Sequence, residues 1–188
     1  MKYKKLLLPV MGVLIWALLY IVLPKANINT SKLISTEAQP GFYKVSTVYD
    51  GDTIAVDMDG RQEKVRFIGV DTPETHKPNS PVECFGKRAS QFTTDLLSGK
   101  QVRLEPDPIN QNRDRYQRLL RYVYTEDNQL VNAMLIRNGY GFAYLSFPFT
   151  KADEFRQYQV EARSQNKGLW AGECQIEDQN GRFKTNQL

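Results

Sequence analysis

Residues 65–74 read Val-Arg-Phe-Ile-Gly-Val-Asp-Thr-Pro-Glu. The first half is apolar, β-branched or aromatic, the composition of a strand. Pro73 ends it, because proline cannot donate to a β-ladder. Around that end stand one guanidinium, Arg66, and two carboxylates, Asp71 and Glu74. A strand alternates faces with period two, so Arg66 and Asp71 project to opposite sides. They serve one site only if the strand bulges, twists or stops between them, and Gly69 permits a bulge.

The chain before this stretch is β in pattern. Residues 42–49 and 54–58 read as strands joined by Asp50-Gly51, and Asp59-Gly60 leads into a third strand over 64–70. Aspartate-glycine pairs between such runs are hairpin signals, so the three strands form an antiparallel meander.

The chain after it alternates. Residues 84–98 read as a helix with Phe85, Ala89, Phe92 and Leu96 on one face, stopped by Gly99. Residues 101–104 and 119–124 are short strands. Residues 130–138 are a short helix with Val131, Met134 and Leu135 inward, closed by Gly139, and 140–145 is extended. Thr150-x-x-Asp153 has the form of a capping box, opening a helix that carries Phe155, Tyr158 and Ala162 and ends near Gly168. This order predicts a mainly β, α+β domain: an OB-type five-stranded barrel with three packed helices.

The domain is placed at residues 41–172, between a linker over 25–40 and a polar, frayed tail over 173–188. At the N-terminus, residues 6–23 carry no charge and follow a lysine cluster. As a helix this run is about 27 Å long, enough to cross a hydrocarbon core, with the domain outside the cytoplasm. Two readings of residues 1–24 stand: a transmembrane signal anchor at the cell membrane, or a cleaved signal peptide that leaves a secreted protein.

The formal net charge of +4 comes from that end. Residues 1–30 hold four lysines and no acid, so the remainder is neutral, with 21 basic and 21 acidic residues. Overall charge is therefore no argument for a nucleic-acid partner, and local clusters must carry it. One histidine and two cysteines exclude a His/Cys zinc cluster. His76 follows Glu74 in a proline-rich loop and reads as an ordinary loop residue. Cys84 and Cys174 either form a disulfide, as export makes plausible, or stay as two thiols. As a disulfide they would close a long loop, contributing about 4–5 kcal/mol in the chain-entropy picture.

Three segments carry chemistry. Asp50-Gly51-Asp52-Thr53 and the 65–74 stretch supply carboxylates, which suit a hard divalent cation such as Ca2+. Arg113-Asp114-Arg115-Tyr116-Gln117-Arg118 is a basic cluster with an aromatic inside it. Arginine can grip phosphate oxygens and a tyrosine can stack on a base. A second aromatic run holds Tyr140, Phe142, Tyr144, Phe147 and Phe149. Taken singly, the same segments read as hairpin chemistry, a helix start, a solvated loop and core. Taken together they suit metal-dependent phosphodiester hydrolysis in nucleic acid.

In this order and at these separations, the segments Asp-Gly-Asp-Thr, Arg-Phe-Ile-Gly-Val-Asp-Thr-Pro-Glu and Asp-Arg-Tyr-Gln-Arg closely resemble the staphylococcal nuclease family over about residues 41–171. The resemblance implies an OB-type barrel and Ca2+-dependent hydrolysis of DNA and RNA at the 5′ P–O bond, leaving 3′-phosphates. It implies Asp52, Asp71 and the Thr72 carbonyl as Ca2+ ligands, and Arg66, Glu74 and Arg118 as the catalytic trio. It implies Arg115 and Tyr116 as phosphate contacts and Tyr144 as the base-stacking tyrosine. No protein partner is implied. One departure stands out: Gln117 occupies the place of a family glycine directly before Arg118, and it is strained if that position needs φ > 0. The alternative reading is a non-catalytic nucleic-acid-binding module on the same OB barrel.

Overall fold

The strand that begins at residue 61 stops at Phe67, and the chain turns before it resumes. The computed structural model describes residues 41–75 and 81–188. The apolar run 6–23, the linker 25–40 and His76 lie outside the described residues. Among the described residues, no helix is long and apolar enough to cross a membrane.

Strands β1 (Phe42–Asp50), β2 (Thr53–Met58) and β3 (Arg61–Phe67) form the expected antiparallel meander. The short β4 (Val70–Asp71) follows a turn, then helix α1 (Gly86–Leu97), β5 (Gln101–Glu105) and β6 (Leu119–Tyr124). Five strands close a barrel in the order β1-β2-β3-β6-β5, with β1 pairing back onto β5. The β3–β6 seam is parallel, with Val65 opposite Leu119 and Arg66 opposite Leu120. Val45, Ile54, Val56, Val65, Leu104 and Val123 fill the interior, each essentially inaccessible to water. Helices α2 (Val131–Arg137) and α3 (Ala152–Ser164) pack on one another, and α3 packs on β7 (Phe142–Ala143), which pairs with β4. The five-stranded OB-type barrel with three helices is thus present.

Several local expectations are corrected. The strand placed at 64–70 is interrupted because Gly69 takes φ +72°. A Cβ there would come within 2.6 Å of Phe149 and 2.8 Å of Phe155, so only glycine fits. Phe85 stands in the left-handed region, so the first helix starts at Gly86 and not at Cys84. Its buried face is Ala89, Thr93 and Leu97, with Phe92 and Leu96 on the flank. The buried Thr93 hydroxyl donates to the Gly51 carbonyl at 2.7 Å, which an apolar pattern could not signal.

In α2, Asn132 is buried while Met134 is only half-buried. The capping box does not form: Lys151 takes the cap position without a side-chain bond, and the Thr150 hydroxyl donates to Asp107. Helix α3 ends at Ser164, and a separate 3₁₀ turn covers Gly168–Ala171. Residues after Gly172 are not frayed. They form a hairpin, β8 (Ile176–Gln179) and β9 (Arg182–Thr185), beside the disulfide Cys84–Cys174.

Asn132 fixes the break after β3. Its amide donates to the Ile68 carbonyl at 2.9 Å and its oxygen accepts the Val123 N–H at 2.9 Å. Replacing a buried partner leaves each backbone group desolvated and unsatisfied, at about 1–3 kcal/mol apiece. Asn132→Ala is therefore expected to lose roughly 2–6 kcal/mol of unfolding free energy by urea titration. A loss under about 0.5 kcal/mol would show that Asn132 does not hold this turn.

Candidate active site

The turn at Ile68-Gly69 resolves the opposite-face problem posed by Arg66 and Asp71. Because β3 ends and β4 restarts after a glycine kink, Asp71 comes round to the Arg66 side. The Arg66 Nη2 donates to Asp71 Oδ1 at 2.9 Å, and Nη1 forms an ion pair with Asp52 Oδ1. The backbone packs as tightly as the charges require. A Cβ on Gly51 would lie 2.7 Å from Thr72 Cγ2, so the 50–52 turn and the 71–73 loop touch only because residue 51 has none. The Thr72 N–H and hydroxyl both donate to Asp52 Oδ2, at 2.8 and 3.1 Å, and Thr53 donates to Oδ1 at 3.1 Å.

Asp50, a hairpin-turn residue by its sequence, joins this cluster. Its Oδ1 accepts the Asp52 N–H at 3.1 Å. Burial, then the Asp52 charge, pushes its carboxyl up to about 8, against the pull of Arg66. Burial also raises Asp71, with Arg66 opposing and Asp52 adding to the rise. For Arg66, burial works against the charge, but Asp52, Asp71 and Asp50 outweigh it and raise its pKa. Three carboxylates thus crowd around one buried guanidinium.

Such an oxygen-only, acid-rich cluster suits a hard cation. Among the described residues, no three His, Cys, Asp or Glu side chains converge as a ready cage. The fitting set is smaller: Asp52 and Asp71, already drawn to one shared cation, with the adjacent Thr72 carbonyl.

Glu74 follows on the same loop. Its N–H donates to Glu83 Oε2 at 3.0 Å, and the Glu83 N–H donates back to its carbonyl at 2.9 Å. Glu83 precedes the disulfide cysteine Cys84, so the staple helps fix the Glu74 backbone.

Arg118 lies elsewhere on the same sheet, at the entry to β6, next to β3. Asp114 holds it: Arg118 Nε donates to Oδ2 at 2.7 Å, and its backbone N–H donates to Oδ1 at 3.0 Å. Its guanidinium lies 5.4 Å from the Tyr116 ring, and Arg115 bonds the Tyr116 hydroxyl at 2.8 Å. The structure therefore brings Asp52, Arg66, Asp71 and Thr72 into contact, and Glu74 follows on the same loop, bonded to Glu83. Arg115, Tyr116 and Arg118 form a second group, and Arg118 is engaged by Asp114 and not by the carboxylates. Gln117 does take the strained conformation, φ 64°. Tyr144 lies across from the kink, donating its N–H to the Gly69 carbonyl at 2.9 Å.

One residue beside the site was missed. Arg182 on β9 places Nη2 3.6 Å from Asp71 Oδ2, and its guanidinium lies 5.4 Å from the Tyr144 ring. The signal was present: Asn180-Gly181, between Gln179 and Arg182, is the residue pair that two-residue hairpin turns favour. Asn180 and Gly181 take φ 57° and 84° as such a turn requires.

A family model described as "Staphylococcal nuclease homologue" matches residues 64–172. The chain is 42% identical over 166 residues to "Thermonuclease" of Staphylococcus intermedius, covering 85% of this chain and 95% of the relative. It is 46% identical over 130 residues to "Thermonuclease" of Staphylococcus hyicus, covering 69% and 75%. It is 42% identical over 124 residues to "Endonuclease YncB" of Bacillus subtilis, covering 65% and 58%.

Between the ordinary carboxylate range and about 8, the folded protein keeps a proton on Asp50 that the unfolded chain releases. Metal-free stability from this group is therefore greatest at low pH and is lost as pH rises towards 8. Asp50→Asn mimics the protonated form, so it should raise the melting temperature more at pH 9 than at pH 5. Equal shifts at the two values would contradict the burial argument. Gln117→Gly should gain about 0.5–1 kcal/mol in chemical denaturation, by relieving a positive φ against the entropy glycine loses.

Proposed function

Because the chain belongs to the staphylococcal nuclease family, we propose that its Asp52–Arg66–Asp71 cluster is the centre of a Ca2+-dependent phosphodiesterase. The protein is a hydrolase, a nuclease acting on nucleic acids. The finer reading is cleavage of DNA and RNA at the 5′ P–O bond, leaving 3′-phosphates. The observation that carries it is the single guanidinium shared by two acids from separate loops, Asp52 and Asp71, with Glu74 three residues after Asp71 on the same loop.

The residues divide the work by charge. Asp52, Asp71 and the Thr72 carbonyl would hold a calcium ion, which would supply Lewis-acid charge to the phosphate. Glu74 takes the proton of the attacking water, directly or through an intervening water. Arg66 donates to the phosphate oxygens, where negative charge grows in the five-coordinate transition state. Arg118 joins it by exchanging Asp114 for a phosphate oxygen. Arg115 and Tyr116 grip the nucleotide phosphate, and Tyr144 offers its ring to a base. A binding module without catalysis would need none of the acids converging on Arg66, so the enzyme reading is preferred.

Export fits the same picture. The disulfide Cys84–Cys174 suits an oxidising compartment, and residues 6–23 supply the membrane anchor, or the signal that is removed. Fractionation of expressing cells, with the mass of the mature N-terminus, distinguishes the two.

Losing one preorganised donor or base typically costs about 10²–10³ in rate. Arg66→Ala, Glu74→Ala and Arg118→Ala are each expected to lower cleavage of single-stranded DNA by at least about that factor while the melting transition stays cooperative. Chelator should abolish wild-type cleavage and Ca2+ should restore it. Cleavage that persists in chelator would overturn the metal-dependent reading, and near-wild-type cleavage by Glu74→Ala would remove its role as base.

A further inference from the structure

We infer that Arg182, on the disulfide-anchored C-terminal hairpin, is a further substrate-positioning residue that binds a phosphate of the nucleotide stacked on Tyr144. The inference rests on the proposed reading of the site and adds to it a group outside the 64–172 span of the family match.

The hairpin is seated by apolar packing and by covalent attachment. Phe183 stacks on Phe142 with ring centroids 5.6 Å apart, and Trp170 meets the same two rings edge-on at 5.5 and 5.8 Å. Phe142 is the β7 residue paired opposite Asp71. Seating Phe183 on Phe142 therefore delivers the neighbouring residue, Arg182, to the Asp71 edge. Cys84–Cys174 ties the start of the hairpin to the start of α1. Further along, Thr185 Oγ1 donates to the Cys84 carbonyl at 2.9 Å and the Cys84 N–H donates to the Asn186 carbonyl at 2.8 Å. The hairpin is thus held at both ends and along one face.

What it presents is a half-exposed guanidinium. Its side chain is 49% accessible, its only ion-pair partner among the described residues is Asp71 at 3.6 Å, and its plane lies near the Tyr144 ring. At that distance from Asp71 it is not saturated by hydrogen bonds. With no hydrogen bond to break at Asp71, it can turn to a phosphate brought beside the Tyr144 ring. A nucleotide there carries a phosphate within one sugar of its base, and arginine is the side chain best shaped to grip it. The hairpin thereby adds a guanidinium to Arg66, Arg115 and Arg118, placed beside Asp71 and Tyr144.

The test compares the full oxidised chain with Arg182→Ala and Arg182→Lys, after matching their melting temperatures to exclude misfolding. Cleavage of a single-stranded deoxyoligonucleotide with Ca2+ should show KM raised about tenfold in Arg182→Ala, with kcat changed less, the loss expected for one charged hydrogen-bonding contact. Arg182→Lys should recover part of the loss. In a second arm, binding of the same labelled oligonucleotide is followed by anisotropy in chelator across a salt series. One phosphate contact fewer should lower the slope of log K against log salt by about 0.7 in Arg182→Ala, a change that a purely structural role would not produce. Unchanged affinity and slope would overturn the inference. So would faster cleavage by Arg182→Ala at limiting Ca2+ with unchanged affinity, which would make Arg182 a competitor for the metal. If the wild-type chain fails to cleave with Ca2+, the proposed function fails, and the binding arm still judges Arg182.

Discussion

The two carboxylates that share Arg66 come from parts of the chain that meet only because the third barrel strand is cut short. Arg66 is largely buried, its side chain 14% accessible, and draws Asp52 from one hairpin and Asp71 from the resumed strand. Burying one charge is unfavourable unless its partners are close and well oriented. Here the partners are supplied by loops that pack backbone to side chain at Gly51 and Thr72. The excess of acid over base in the pocket is the property that makes it chemically useful. A folded protein tolerates that excess by keeping a proton on Asp50 and by raising the affinity of Arg66 for its own proton.

Behind the charges stands a polar scaffold that never reaches the surface. Thr93 on α1 holds the Gly51 carbonyl, and Asn132 on α2 holds the Ile68 carbonyl. Each uses one side-chain bond to fix one of the two turns that carry an acid. The helices thus do more than cover the barrel: each pins a loop of the site. The second group, Arg115, Tyr116 and Arg118, is organised differently. Asp114 alone collects the Tyr116 and Arg118 N–H groups and the Arg118 guanidinium, making a compact exposed loop in place of a buried one.

The barrel was legible because strand alternation and Asp-Gly turns are local signals. Residues 42–58 and 119–124 fell where hydrophobic pattern placed them. The site residues were legible as a set because their order along the chain is distinctive, even where their geometry was not. The kink that reconciles Arg66 with Asp71 depends on two phenylalanines, Phe149 and Phe155, far away in sequence, so alternation alone could only pose the problem. Asn132 and Thr93 were hidden because buried polar residues interrupt the apolar stripes by which helices are read. Thr150 has the spacing of a cap, yet its hydroxyl is taken by Asp107, a tertiary partner that outcompetes the local one. The C-terminal segment was misjudged for a simpler reason: polarity outweighed the Asn180-Gly181 turn, while the aromatic surface that receives Phe183 is assembled only in three dimensions.

The parallel seam between β3 and β6 has one more consequence. Val65 cannot find Leu119 until the intervening strand, helix and loops have been synthesised and arranged, so the barrel closes through distant contacts and not through neighbouring hairpins. Chains dominated by such pairings pass slowly over their folding barrier, since closure entropy is lost before burial rewards it. Proteolytic trimming ahead of β6 would leave an open four-stranded sheet, β5-β1-β2-β3, with a bare edge at β3, prone to self-association and unable to shelter Arg66 from water.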